Sequence, residues 1–343
     1  MTVGAMNKGA LAEYLYEHVP GIRGPIAIER ITGGQSNPTF RLRAGGRSYA
    51  LRKQPDGELL PSAHAVDREY RVITALGHTD VPVPRTYCYC DDRSLIGTPF
   101  YVMEFAAGRQ FWDPALPELH PASRAALWDD INSVIVRLHK VDYAAIGLGD
   151  YGKPGNYFER QIGRWSKQYR ASETEPIESM NRLIEWLPQN IIGDAASSIV
   201  HGDFRLDNLI VHPTEPRVIA VLDWELSTLG HPLADFSYHA MVWRLSHDQF
   251  RGMAGRDFAA LGIPTEREYV ERYCALTGRS SIDPRDWEFC VVFSMFRLAA
   301  ILQGIAKRVL IGTAADATGA GDVGRRARGI ADIAWRQVES IGR

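Results

Sequence analysis

Cysteine is scarce in this chain of 343 residues: only Cys88, Cys90, Cys274 and Cys290 occur. That is too few for a disulfide framework at this length, so stability must come from apolar burial. The Cys88-x-Cys90 spacing places both thiols on one face of a strand. With no second ligand pair nearby, they read as buried thiols rather than as half of a metal site. Net charge is nearly absent as well. With 39 basic against 41 acidic residues, no whole-chain field exists to draw nucleic acid or anionic lipid, although a local basic cleft could still take an anionic small molecule. Long uninterrupted apolar runs are lacking. The most apolar stretch, "FCVVFSMFRLAAILQGIAKRVLIG", is cut by Ser294, Arg297, Gln303, Lys307 and Arg308, which argues for a core helix rather than a bilayer span. The opening "MTVGAMNKGALAEYLYEHV" carries Glu13 and Glu17 where a signal peptide needs its apolar centre. A cytoplasmic globular protein is expected, with neither membrane nor nucleic acid among its partners. Internal repeats and long low-complexity linkers are missing too.

What is present changes texture along the chain. From about Ile26 to Phe105 the pattern is mainly strand: "IAIERITG", "PTFRLRAG" and "RSYALRKQ" are separated by Gly33-Gly34 and Gly45-Gly46. One helix, "HAVDREYRVITAL", interrupts this region, and "RTYCYC" and "FYVMEF" follow it. A five-stranded antiparallel sheet with one long helix is the natural assembly. After Gly108 the apolar residues recur at helical spacing, as in Ala126, Leu127, Ile131, Ile135 and Leu138, and again in Met180, Leu183, Ile184 and Leu187. The only strand-like patch in this part is "LIVHPTEPRVIAVLDW". The expected division is a β-rich lobe over residues 1–105 and a helical lobe over 106–343.

The helical part opens its one hairpin with "HGDFRLDNLI", His201 to Ile210, which crowds an imidazole, two carboxylates, a guanidinium and an amide ahead of a short apolar run. Leu209–Val211 and Val218–Leu222 flank "HPTEPR", whose prolines mark a reversal. Pairing Leu209 with Leu222 sets Asn208 beside Asp223 at the open end. An amide oxygen and a carboxylate so placed suit a hard cation such as Mg²⁺. Asp203, one loop upstream, has a spacing suited to orienting an attacking hydroxyl.

"HGDFRLDN" with "VLDWE" and "GHPLADF" resembles the catalytic core of aminoglycoside phosphotransferase-type small-molecule kinases, relatives of the protein kinases. "GGQSNPTFRL", "YALRKQP", "SAHAVDREYRV", "TPFYVMEF" and "FRLAAILQGIAKR" are most similar to the phosphotransferase domains associated with acyl-CoA dehydrogenases. The likeness spans roughly residues 26 to 312. It implies an α+β, bilobal protein-kinase-like fold, with a small antiparallel β-sheet N-lobe carrying one helix, a larger helical C-lobe, and ATP held between them. Phosphoryl transfer is mostly positioning and charge neutralisation. On this resemblance Asp203 would accept a hydrogen bond from the acceptor hydroxyl, and Asn208 and Asp223 would hold Mg²⁺. Arg205 would stand where protein-serine kinases carry a lysine that touches the transferring phosphate. His201 and Asp235 would support the loop.

The N-terminal part would supply the phosphate clamp, from the backbone of Gly33 and Gly34 and the Ser36 hydroxyl. In the helix, Val66, Tyr70 and Ile73 define a buried stripe with Glu69 on its edge, where a carboxylate needs a cation. Strand alternation puts Ala50 and Arg52 on one face, Leu51 and Lys53 on the other. Arg52 is favoured as that cation, because Ala50 would then cover the adenine; a shift of one residue would give the role to Lys53. Met103, Glu104 and Phe105 would form the connector whose backbone reads the base.

Tyr157, Arg160, Arg164, Gln303 and Arg308 are candidates for the acceptor side, and their basic balance leans towards an acidic or CoA-linked acceptor. The expected activity is ATP- and Mg²⁺-dependent phosphorylation of a hydroxyl on a small molecule, a hydroxyacyl-CoA or related hydroxy acid, with a functional link to an acyl-CoA dehydrogenase. Three alternatives stand beside it. One is an aminoglycoside O-phosphotransferase, and another is a non-catalytic nucleotide-binding protein on a kinase scaffold. The third is a metal-dependent hydrolase using His201, Asp203, His212 and His231.

Overall fold

The computed structural model describes residues 8–31, 37–57, 64–193, 196–312 and 320–341. Its N-terminal part comprises α1 (Lys8–His18), β1 (Ala27–Arg30), β2 (Thr39–Ala44), β3 (Arg47–Lys53), α2 (Val66–Leu76), β4 (Thr86–Cys90), the one-turn α3 (Arg93–Ile96) and β5 (Phe100–Glu104). The five strands form one antiparallel sheet in the order β1-β2-β3-β5-β4. Alternation decides its faces. Phe40, Leu42, Leu51, Phe100 and Val102 point to one side and meet Leu11 and Leu15 of α1, a helix absent from the sequence expectation. Cys88 and Cys90 face the same way as free, buried thiols, and burial pushes Cys88 up to about 12. Ala50, Tyr101 and Met103 point to the other side, where α2 lays down Val66, Val72, Ile73 and Leu76. Tyr70, expected in that stripe, is only half-buried.

Helix α2 is also tied to the rest of the chain. Arg68 sets its guanidinium 4.2 Å over the Tyr151 ring and donates to the Tyr151 carbonyl at 2.8 Å. Arg71 donates to the Gly147 carbonyl at 2.8 Å. The sheet's helix therefore sits at a fixed place relative to the helical part.

The remainder is built from α4 (Pro121–His139), α5 (Tyr157–Ser172), α6 (Glu178–Trp186), β6 (Ser198–Val200), β7 (Leu209–Val211), β8 (Val218–Val221), β9 (Thr228–Gly230), α7 (Pro232–Ala240), the one-turn α8 (His247–Phe250) and α9 (Phe258–Leu261), α10 (Glu266–Thr277), α11 (Pro284–Leu310) and α12 (Ala320–Ile341). Helix α4 starts at a proline in its first turn, where the missing N–H costs nothing. Leu127, Ile131, Ile135 and Leu138 are buried as expected, while Ala126 is exposed and Trp128 fills the core instead. Alongside the expected hairpin, β6 and β9 form a second two-stranded ribbon. Their three-residue strands are too short to show alternation in the sequence.

Helix α11 runs through the centre and packs against α5, α7 and α12. By length and composition it could cross a bilayer, so its interrupting polar residues exclude less than the sequence suggested. Burial decides its setting here: 89% of its most apolar window lies inside the protein. An aromatic cluster packs in the same core. Phe236 stacks on Tyr273 with centroids 3.9 Å apart, and Trp128 meets Trp243 at 4.7 Å. His239 donates to or accepts from the Tyr269 hydroxyl at 2.9 Å, and burial lowers its pKa to about 4, so it is neutral at physiological pH.

Phe236→Ala should remove this stack and leave a cavity in the core. Unfolding free energy measured by denaturant titration is expected to fall by about 3–5 kcal/mol.

Candidate active site

The loop that carries Asp203 is anchored before it begins. Gly202 has φ +81°, and a Cβ there would lie 2.6 Å from the Leu226 carbonyl oxygen, so only glycine fits. The wholly buried Asp235 carboxylate accepts from the His201 N–H at 2.7 Å and the Gly202 N–H at 2.8 Å. The buried Arg297 of α11 donates to the Gly202 carbonyl and lies over the Trp165 and Tyr238 rings. His201 bonds to the Leu222 carbonyl through Nε2 at 2.9 Å and accepts the Asp203 N–H at Nδ1 at 3.1 Å. These two bonds assign the neutral Nε2–H tautomer and give His201 a supporting role. Burial alone would raise the pKa of Asp235, but the hydrogen bonds from His139 and from the His201 N–H hold its carboxyl below the usual range.

Asp203 is half-buried. Asn208 Nδ2 donates to its carbonyl at 2.9 Å and to Oδ2 at 3.0 Å, and Arg205 Nε lies 3.2 Å from Oδ1. Burial raises its pKa, Asp223 adds to that, and Arg205 and Arg297 oppose it. The acid is thus held by a guanidinium and an amide, in a setting that makes it a better proton acceptor than an exposed aspartate.

The sheet contributes a second cluster. Arg52, on the α2 side of β3, places Nε 2.8 Å from Glu69 Oε2 and Nη2 2.5 Å from Asp223 Oδ1. Lys53 points the other way and pairs with Asp56 at 2.8 Å. Geometry therefore selects Arg52 as the partner of Glu69. Glu69 is not at the edge of the stripe but fully buried within it, where Asn37 and the Tyr101 hydroxyl also donate to it. Its burial pushes its pKa up against the pull of Arg52; burial would lower Arg52, but Glu69 and Asp223 raise it.

Asp223 reaches this cluster because the chain turns sharply there. It sits at φ +66°, a left-handed conformation that aspartate tolerates better than most residues, at the exit of β8. The expected hairpin register is corrected by one residue. Leu209 pairs with Val221, and a bulge at Ile219 lets Val211 pair with Val218. The proline-bearing turn leaves an odd residue that the bulge absorbs. The Leu222 N–H still donates to the Asn208 carbonyl at 2.8 Å, so Asn208 and Asp223 remain neighbours along the hairpin's open end.

Gly33, Gly34 and Ser36 fall outside the described residues. Met103 and Glu104 belong to β5, and the Glu104 N–H is already given to the Arg85 carbonyl at 2.7 Å. Phe105 follows the strand, half-buried under the Arg41 guanidinium at 4.3 Å. The connector beyond it is pinned to β7, with the Arg109 N–H donating to the Val211 carbonyl at 2.7 Å. On the acceptor side, Tyr157 is buried, and Arg160 closes its own loop by donating to the Lys153 and Gly155 carbonyls. Gln303 is buried and donates to the Ser172 carbonyl and the Thr174 hydroxyl. The polar atoms of Arg160 and Gln303 thus already have partners in the folded chain, and Tyr157 is taken up by the core. Arg164 and Arg308 are exposed. The hydrolase alternative loses its ligands: His212 Nδ1 accepts the Glu215 N–H at 3.1 Å and His231 Nδ1 the Leu233 N–H at 3.2 Å. Among the described residues no group of three metal-ligating acids, histidines or cysteines comes together.

Arg297 went unread in the sequence except as an interruption. Its signal was available: a lone guanidinium inside an apolar helix must find an acceptor. For Mg²⁺, one carboxylate and one amide oxygen fit a cation that takes its remaining ligands from phosphates and water.

The arrangement of a small antiparallel sheet over a helical part, with the Asp203 loop and the hairpin that carries Asp223 facing a sheet arginine, is that of the protein-kinase-like fold. The chain belongs to the phosphotransferase enzyme family, whose model matches residues 27–272. A structure from Ralstonia eutropha, provisionally named an aminoglycoside phosphotransferase, is 54% identical, with a TM-score of 0.88 over 98% of this chain and 99% of that one. The aminoglycoside phosphotransferase APH(4)-Ia, in ternary complex with AMP-PNP and hygromycin B, shares the fold with a TM-score of 0.62 at 16% identity, over 96% of this chain and 98% of that one. Acyl-CoA dehydrogenase family member 10 of Mus musculus is 48% identical over 91% of this chain, and family member 11 of Homo sapiens 41% identical over 88%. This chain covers 29% and 39% of their lengths, so it spans less than half of either relative.

Arg52→Ala should leave the Glu69 charge buried without its cation. The expected loss is about 3–5 kcal/mol of unfolding free energy, with part regained in the Arg52→Ala/Glu69→Gln double variant. Asp235 gives a pH test. A carboxyl whose pKa is lower in the folded than in the unfolded chain contributes stability that is full above pH ~4 and is lost as pH falls through the folded value. Asp235→Asn should therefore flatten the acid limb of a urea-midpoint curve as well as lower its plateau.

Proposed function

We propose that this chain is an ATP- and Mg²⁺-dependent phosphotransferase that phosphorylates a hydroxyl group of a small molecule, a hydroxyacyl-CoA or related hydroxy acid. The observation that carries the proposal is the Arg52 guanidinium set between Glu69 and Asp223, with Asp203 on the adjoining loop. Asn208 and Asp223 would hold the cation, which neutralises phosphate charge when bound. Arg52, steadied by Glu69, would bind phosphate oxygens of the donor. Asp203 orients the acceptor hydroxyl. As its oxygen bonds to the terminal phosphorus, the bond to the ADP oxygen breaks and the hydroxyl proton passes to Asp203. Arg205 would neutralise charge on the group in transit.

The acyl preference draws support from the printed names of the curated relatives and from the exposed Arg164 and Arg308 on the helical part. A working link to an acyl-CoA dehydrogenase activity belongs to the same proposal. An aminoglycoside acceptor is the second reading, favoured by the name of the 54%-identical Ralstonia protein.

The test is nucleotide consumption and product formation with hydroxyacyl-CoAs, hydroxy acids and aminoglycosides. Phosphate on an acyl acceptor, abolished by Asp203→Ala or Asp223→Ala with the circular dichroism spectrum unchanged, is expected. Phosphorylation of aminoglycosides alone would favour the second reading, and Mg²⁺-dependent ATP binding without turnover would point to a non-catalytic role.

A further inference from the structure

We infer that Asp207 is a positioning residue: it holds Arg205 partly away from Asp203, leaving that acid available to the acceptor. The inference rests on the roles proposed above for Asp203 and Arg205.

Arg205 is shared between two carboxylates. Its Nη2 donates to Asp207 Oδ2 at 3.0 Å, while its Nε stands 3.2 Å from Asp203 Oδ1. The Phe250 ring covers the guanidinium at 5.2 Å. Asp207 is fixed in turn from outside, since Arg251 Nη1 reaches the same Oδ2 at 3.3 Å and stacks over Trp112 at 4.7 Å. Arg251 adopts φ +50°, where a residue with a side chain is strained, yet its guanidinium still reaches Asp207.

Charge explains why a second acid is needed. Asp203 Oδ2 already accepts from Asn208, and only Oδ1 faces Arg205. Without Asp207, the remaining carboxylate would draw the guanidinium into a two-point fork. Oδ2 would then carry Arg205 as well as Asn208 and Oδ1 a full bond from the guanidinium, leaving fewer lone pairs to accept the acceptor hydroxyl and its proton. Asp207 thus acts on Asp203 through Arg205 while touching no reacting atom.

The test is a double-mutant cycle on full-length protein, with an acceptor found in the screen above. Asp207→Asn should lower kcat tenfold or more, within the ~10²–10⁴ that a positioned acid or base is worth, with the nucleotide KM changed less than about twofold. Asp207→Glu should regain part of the loss. In an Arg205→Ala background, Asp207→Asn should cost less than about twofold, because the intermediary is gone. An equal loss in both backgrounds, or a loss confined to KM, would overturn the inference. A crystal structure of the Asp207→Asn protein gives a readout independent of turnover. Arg205 forked onto both Asp203 oxygens is expected, and Arg205 unmoved overturns the inference even if no acceptor is ever phosphorylated. Should Asp207→Asn fail to fold, the same comparisons made on Asp207→Glu and Arg251→Ala decide it, with smaller shifts in the same direction expected.

Discussion

Glu69 has no exposure, and a carboxylate in that position is tolerable only beside a cation. Arg52 supplies it at 2.8 Å, a gross attraction of about 6 kcal/mol at an effective dielectric near ~20. Removing both charges from water costs several kcal/mol each, so the pair adds little net stability. What it does is choose a geometry. Helix α2 is held to the helical part through Arg68 and Arg71, which fixes Glu69; Glu69 fixes Arg52; and Arg52 then reaches across to Asp223. The two parts of the molecule are registered by this chain of charges at the place where phosphates would lie.

A similar economy governs the loop before Asp203. Its backbone is satisfied by side chains from distant elements: Asp235 of α7 takes two N–H groups, Arg297 of α11 gives to a carbonyl, and the His201 ring reaches Leu222. A loop with its polar groups so occupied has few alternative conformations, and orientation of one carboxylate is the service that phosphoryl transfer asks of it. Close to Asp203, Arg205 lies between that acid and Asp207, and Asn208 adds a neutral hydrogen bond.

Much of this was legible from residue order. The strand alternation of "YALRKQ" separates Arg52 from Lys53, and "HGDFRLDN" followed by a reversal and "VLDWE" announces a paired amide and acid, because these patterns are local. Other features were not. The one-residue error in the hairpin came from counting through a turn without knowing that Ile219 bulges. Ribbon β6–β9 joins three-residue strands far apart in sequence, too short for any periodicity to show. Arg160 and Gln303 looked like ligand-binding groups because their partners are remote or in irregular loops, and Tyr157 because its burial is set by distant elements. Asp207 was given no role of its own, since the second guanidinium on its oxygen, Arg251, comes from 44 positions away.

By itself, the order of residues determined which groups of chemical interest exist and which of them share a strand face or a short turn, since those relations depend on backbone geometry over a few residues. Only the tertiary structure decided which charges neutralise one another. Arg52 and Asp223 are 171 positions apart, and Arg297 and Gly202 are 95 apart. Pairings at that range are set by how helices and sheet bury their apolar faces, and the polar groups take the partners that this burial brings within reach.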